Sequence, residues 1–361
     1  MPEQVRHDVV GARDDVVAVG HDGGWGRGIL DDVGSTVRRR KPGPKRHSVW
    51  LATAWIAVAV GFVPLASAML PSLQALHRVI ALAATFAPHA VFAWLYATLV
   101  LVIAAHRKGK LLALIAALGL VVNVLTVSHY LPHAAPEGKA SIRVFSSNLF
   151  YGQADIAALA EQLDTAKPDV VVFTEITKRD YPAIEEALQK TLPYHAGYPA
   201  EAYSVAGAAI FSKYPLDIID TTESAAYECF AVAVSDPDGR FVLAGVHASS
   251  PVYGTDRWLT DASAISAMAG RQMGGPLVVA GDFNATLEHL SLRRILAAGL
   301  TDAADESGTG WLPTWPTLDW PAPLIGIDHV LTNRYLAAKS VYAVNIKGTD
   351  HAAVVADLIR V

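Results

Sequence analysis

Cysteine is almost missing from this chain: Cys229 is the only one in 361 residues. That excludes an internal disulfide and any multi-cysteine zinc site, and leaves the redox compartment undecided. Charge is missing where apolar residues are densest. The runs 49–70, 79–105 and 111–127 hold no Asp, Glu, Lys or Arg. Basic residues are scarce further on, with 15 Lys and Arg against 26 Asp and Glu from 140 to 361, a net charge of about −11. Proteins that grip nucleic acid present basic surfaces to its phosphates. No Lys or Arg stripe interleaved with aromatics is visible here, so nucleic acid drops in rank as a substrate.

Each uncharged run is close to or above the roughly 20 residues an α-helix needs to cross about 30 Å of hydrocarbon. This predicts three transmembrane helices within 48–130, over about 49–70, 79–105 and 111–130. Pro88 and His89 interrupt the second; the Pro predicts a kink, with the His packed or facing water. The "ASA" at 66–68 looks like a cleavage site, but a long segment precedes it and two more apolar runs follow, so the first run reads as an anchor.

Residues 1–47 carry Gly, Asp and Arg without a sustained apolar period and close on "RRRKPGPKRH", which predicts a disordered tail. That basic cluster and "HRKGK" at 106–110 outweigh the lone Arg78 between the first two runs. The positive-inside rule then sets a multi-pass protein in the cytoplasmic membrane, with the amino terminus cytoplasmic and everything after the third helix outside.

A polar linker at 131–140 leads into a globular domain, 141–361, large enough to bury a proper core. Its β-rich runs, 142–148, 170–175, 208–211, 230–235, 241–247, 277–281, 326–331 and 352–359, alternate with helical patterns at 156–166, 183–191, 256–268 and 290–298. The strand ends share a character. Asn148, Glu175, His247, Asp282, Asn284, Asp328 and the Asp350–His351 pair all sit at them. One polar tip means little, since a lone Asn, Glu or His at a strand end is more often a cap. Half a dozen limited to four residue types predict a shared site.

Carboxylates with amide oxygens are hard ligands suited to Mg2+, with Mn2+ or Ca2+ as alternatives; zinc would want more His or Cys. Histidines beside them can orient a phosphate or move a proton. Together they describe metal-assisted hydrolysis of a phosphate ester.

"SSNL", "FTEI", "GAAIFSKYP", "VHASSP", "GDFNA", "IDHVL" and "TDHAAVVADL" follow in that order between 146 and 358. This ordered set resembles the motifs of the endonuclease/exonuclease/phosphatase superfamily. The resemblance implies an α+β fold, a four-layer α/β/β/α sandwich of two mostly antiparallel sheets with the site at one end. It implies Glu175 as principal metal ligand, helped by Asn148, which also reaches a phosphate oxygen, and by Asp350. Asp282 would position and deprotonate the attacking water beside a phosphate-binding Asn284. His351, oriented by Asp328, would contact the phosphoryl group, and His247 would make a second phosphate contact.

Two departures stand out. Thr174 occupies a place where the family often has Gln, and the Tyr or Arg that DNA-cutting members carry between the Glu and His motifs has no clear match. His289 reads as a helix-start residue, and His329 should point to the sheet face opposite Asp328. The run "GWLPTWPTLDWPAP" at 310–323 is either a Pro-stiffened packed loop or a substrate lip or membrane-facing rim, since Trp favours the lipid interface.

Three amino-terminal helices before such a domain look like the membrane phosphatases associated with teicoplanin resistance, which implies the bilayer and a phosphorylated lipid or prenyl pyrophosphate as partners. No protein partner is indicated. A membrane-tethered phosphodiesterase, nuclease or sphingomyelinase-like, would use the same residues with a different leaving group. A non-catalytic membrane protein would not need the full acidic and His set.

Overall fold

Runs of Val, Ile, Phe and Ala, too short and too β-branched for helices, form the inner strands of a two-sheet sandwich. The computed structural model describes residues 46–104, 110–222, 225–318 and 323–361. The expected tail and the basic loop at 106–110 fall almost wholly outside these. The strands are β1 (Ile142–Asn148), β2 (Val170–Thr174), β3 (Tyr194–Tyr198), β4 (Ala208–Ser212), β5 (Leu216–Thr221), β6 (Phe230–Asp236), β7 (Gly239–His247), β8 (Leu277–Asp282), β9 (Leu300–Asp302), β10 (Asp328–Asn333), β11 (Leu336–Asn345) and β12 (Ala352–Arg360). One sheet runs β11-β12-β1-β2-β4-β3 and the other β5-β6-β7-β8-β10-β9. Each has one parallel pair, β1 with β2 and β7 with β8, and is otherwise antiparallel.

The alternate residues of both sheets meet in a central core that includes Val144, Val172, Ile210, Val232, Leu243, Val278 and Val354. Their outer faces are covered by helices. The helices are α1 (Arg46–Met69), α2 (Arg78–Ala84), α3 (Ala87–Ala104), α4 (Lys110–Thr126), α5 (Ile156–Ala166), α6 (Tyr181–Leu188), α7 (Thr255–Arg271), α8 (Leu290–Leu296) and α9 (Ala303–Glu306). Leu159, Leu163, Ile184 and Leu188 of α5 and α6 pack on the first sheet; Ala262, Ile265, Met268 and Leu292 of α7 and α8 pack on the second. α5 begins where the Asp155 carboxylate accepts from the Ala157 and Ala158 amides, a standard helix cap.

The strands β3, β5, β9 and β11 escaped the sequence pattern, because all four lie at sheet edges, where β3, β5 and β11 alternate weakly with solvent. A second correction concerns Asp328. It opens β10 rather than closing a strand, and pairs in register with Asp282 at the end of β8. Polar tips therefore gather from the C-terminal ends of β1, β2, β7 and β8 and the N-terminal ends of β10 and β12, which antiparallel pairing brings to one edge.

The helical region departs most from expectation. Three spans were expected, the second kinked at Pro88, but among the described residues only Val49–Met69, 21 residues of mean hydropathy 2.0, is by itself long and apolar enough to cross a membrane. The second run is two helices, α2 and α3, bent by 71°. The break at Thr85–Phe86 immediately precedes the first turn of α3, where Pro88 lacks an amide donor and disfavours helical geometry just before it. α4 is a shorter apolar helix, Lys110–Thr126. α1, α3 and α4 nevertheless pack in layers: Ala68, Ala87 and Val127 meet at the end nearest the sandwich, Ala54, Leu101 and Ala116 toward the other. Gly119 lets α4 approach Trp94 so closely that a Cβ there would lie 2.4 Å from the indole.

Candidate active site

Parallel pairing of β1 with β2 sets Asn148 beside Thr174, and the chain then turns sharply through Glu175, whose φ of 56° is left-handed. The Asn148 amide nitrogen donates to two acids of the site, Glu175 Oε1 at 2.9 Å and Asp282 Oδ2 at 3.0 Å. Its own Oδ1 accepts from the Phe150 amide at 2.9 Å, and the Tyr151 amide donates to Glu175 Oε2 at 2.9 Å. Gly281 makes this convergence sterically feasible. With φ of 148°, a Cβ there would sit 1.9 Å from the Val246 carbonyl of the neighbouring strand.

Asp282 and Asn284 share the pocket, but not through strand alternation. β8 ends at Asp282, and Asn284, with φ of 46°, belongs to a turn. Its amide N–H donates to Asp282 Oδ1 at 2.8 Å, and its side chain donates to Ala248 O at 2.9 Å. Phe283 goes into the core. Opposite, His351 Nδ1 lies 2.8 Å from Asp328 Oδ2, while its Nε2 lies 3.9 Å from both Asp282 Oδ2 and Asp350 Oδ1.

Four carboxylates and two imidazoles in a buried space set each other's charge. Burial, then the Asp328 charge, pushes the Asp282 carboxyl well above the usual carboxylate range. Burial also raises Glu175. For His351 burial works against the proton, but Asp328 and Asp282 outweigh it and drive the imidazole up to about 10, so His351 is an imidazolium fixed on Asp328. His247 goes the other way, down to about 4 through burial. Its Nδ1 faces the Val205 carbonyl at 3.0 Å and is therefore the N–H. Nε2, 3.6 Å from Asp282 and 3.8 Å from Glu175, then carries a lone pair. In that state His247 suits a cation or a water proton, and a contact to phosphate oxygen requires it to gain a proton.

A divalent cation fits this donor set. Glu175, His247 and Asp282 offer ligand atoms within 4.8 Å of one another, and Oδ1 atoms of Asp328 and Asp350 are buried without a hydrogen-bond partner. Acids this crowded and this desolvated call for positive charge beyond the single imidazolium. Asp282, Asp328 and His351 form a second such group, but the His351 Nδ1 is already committed to Asp328.

Residues 145–351 match the model of the Endonuclease/Exonuclease/phosphatase family. The chain belongs to this family. It is accordingly a metal-dependent phosphoesterase. Solved structures agree on the fold: a family protein from Bacteroides thetaiotaomicron is 15% identical with a TM-score of 0.50, covering 62% of this chain and 100% of its own. One from Beutenbergia cavernae is 19% identical with a TM-score of 0.50, covering 62% of this chain and 72% of its own. No curated protein matches the chain. The Endonuclease/Exonuclease/phosphatase match begins after α4, so α1 to α4 lie outside the matched family domain.

Several residues around the site carried no sequence signal of their own. The Tyr227 ring lies 4.6 Å from that of His247. Trp315 donates its indole N–H to Asp350 Oδ2 at 3.1 Å, and Trp311 packs edge-on against His89 and Tyr130; within the run Trp311 is thus packed and Trp315 borders the cavity. Thr174 Oγ1 is buried without a partner. His329 faces away from the site, with Nδ1 2.7 Å from Asp302. His289 caps α8, and its Nε2 also reaches the Ala81 carbonyl at 3.0 Å.

Proposed function

We propose that this chain is a membrane-anchored, Mg2+-dependent phosphatase acting on a lipid-linked phosphate or pyrophosphate at the outer face of the cytoplasmic membrane. The observation that carries this reading is the fixed docking of an apolar helical unit beside the catalytic loop. Exposed Trp55, Phe62, Phe92, Leu99, Ile103, Leu114 and Leu118 give α1, α3 and α4 an unpartnered apolar surface. The same unit holds residues 286–293 through Gln74, which donates to the Glu288 carbonyl at 3.0 Å and accepts from the Leu290 amide at 2.8 Å. Arg293 donates to Ala68 O at 2.8 Å. The orientation follows the Lys and Arg before α1 and between α3 and α4.

Asp282, with its raised pKa, takes the proton of the attacking water. The His351–Asp328 pair meets the charge that grows on the phosphoryl oxygens, and Asn284 fixes the Asp282 carboxylate. A divalent cation on Glu175, with His247, Asn148 and Asp350 beside it, would supply Lewis-acid polarisation of the phosphate. Among the described residues no Lys or Arg lines the roughly 380 Å3 cavity above these residues, which favours a compact phosphate terminus over a polyanionic strand.

The purified full chain in detergent with Mg2+ is expected to release inorganic phosphate from a prenyl pyrophosphate. A diesterase would release none, and that result would overturn the phosphatase reading. A periplasm-type reporter fused after Val361 should be active, and a reporter active only in the cytoplasm would reverse the topology.

A further inference from the structure

The catalytic cavity is not built from the family domain alone. Leu82, Thr85 and Phe86, at the bend between α2 and α3, line it together with Glu175, Asp282 and His351. These three residues lie outside the family match at 145–351. Thr85 is buried and lies 3.3 Å from His289 Nε2, which also meets Ala81 O at 3.0 Å. His289 in turn accepts from the Thr286 amide, two residues after Asn284. The bend is therefore pinned to the turn that carries the catalytic acid, and its apolar side chains are registered against the reacting end of the cavity.

From that wall apolar surface continues outward. Val79 and Leu82 lie three residues apart on one face of α2 and Phe86 follows in the break after it, with Val79 61% and Phe86 50% exposed. Facing them across the mouth, Val252 is 48% and Tyr253 74% exposed. Arg78 Nη1 holds the Val252 carbonyl at 3.0 Å, tying the two sides of the mouth together. Large apolar groups left open beside a buried cluster of acids and imidazoles form an amphipathic site, charged at its floor and greasy at its lip.

We infer that the α2–α3 bend is a chain-reading element, in which Leu82 and Phe86 hold the first isoprene or acyl carbons of the substrate while its phosphate lies on Asp282 and His351. This rests on the phosphatase reading above and adds the part of the substrate that the family domain does not contact. The occupant is the apolar chain of a lipid phosphate: the wall it touches belongs to the unit whose remaining surface is itself unpartnered and apolar.

The test uses the full chain in detergent micelles with Mg2+, comparing a three-isoprene pyrophosphate with inorganic pyrophosphate, which has no chain for the bend to hold. Phe86→Asp is expected to raise KM for the prenyl substrate about tenfold relative to KM for inorganic pyrophosphate, the scale of one large apolar contact. Phe86→Leu should restore the preference. Equal losses on both substrates, or no loss on the prenyl one, would overturn the inference. Should the wild type release no phosphate at all, the phosphatase reading falls. Binding of a prenyl phosphonate, wild type against Phe86→Asp, then decides the chain-reading role by itself: a Kd raised about tenfold supports it, and equal Kd values reject it.

Discussion

Asp282 carries the largest consequence at the scale of single residues, since it touches Asn148, Asn284 and, at longer range, both imidazoles. Asp282→Asn keeps the shape and removes the base, so phosphate release is expected to fall by about 10²-fold or more with the thermal midpoint little changed. Asp328→Asn should also lower the rate, because it removes the partner that keeps His351 charged and aimed. Chelation by EDTA should abolish activity and added Mg2+ restore it; activity indifferent to chelation would remove the metal from the scheme. Cys229 offers a separate check. Burial pushes its thiol up to about 12, and it is 1% exposed. The native protein should therefore resist thiol alkylation at pH 8 and react only once unfolded.

At the scale of elements, the turn from β8 into α8 joins catalysis to the helical unit. Glu288 is fully buried within it, meeting His129 Nε2 at 3.0 Å, Tyr130 Oη at 3.1 Å and Thr286 Oγ1 at 2.7 Å. Burial alone would raise its carboxyl, but the His129 and Thr286 hydrogen bonds win and leave it below the ordinary 4.5. A depressed carboxylate stabilises the folded state fully above its unfolded pKa, and that contribution fades as pH falls through the lower folded value. The wild type should thus unfold at higher temperature than Glu288→Gln at neutral pH, with the gap closing as the medium is acidified below about 4.5. A gap that persists in acid would show that Glu288 acts through packing and not charge. In β8, Gly281→Ala must drive a methyl into the Val246 carbonyl, and a loss of at least about 2 kcal/mol is expected by denaturant titration.

For the whole molecule, the joined architecture predicts that the family domain does not behave as an independent enzyme on lipid substrates. Cutting the chain before 141 removes Gln74, His129 and Tyr130 from the 286–293 turn and uncovers Glu288 and His289. The truncated domain should show raised amide exchange in that turn and a lower thermal midpoint than the full chain. Exchange unchanged from the full chain would mean that the docking is incidental.

The residue types at the strand tips were legible in the sequence because their chemistry converges: Asp, Glu and Asn offer oxygen ligands to a hard cation, carboxylates and His can move a proton, and inner strands announce themselves as short apolar runs. So were the apolar stretches, which need no partner to be recognised. Three things were decided only by tertiary structure. The pairing of β10 with β8, the hold of Asn284 on the Ala248 carbonyl and the burial of Glu288 each depend on contacts between segments far apart in the chain. Gln74 and Glu288, for example, are 214 residues apart. Local propensity and period cannot encode such pairings. The packing of helix unit on sandwich sets them, and it turns a set of acidic strand tips into a cavity with an apolar wall.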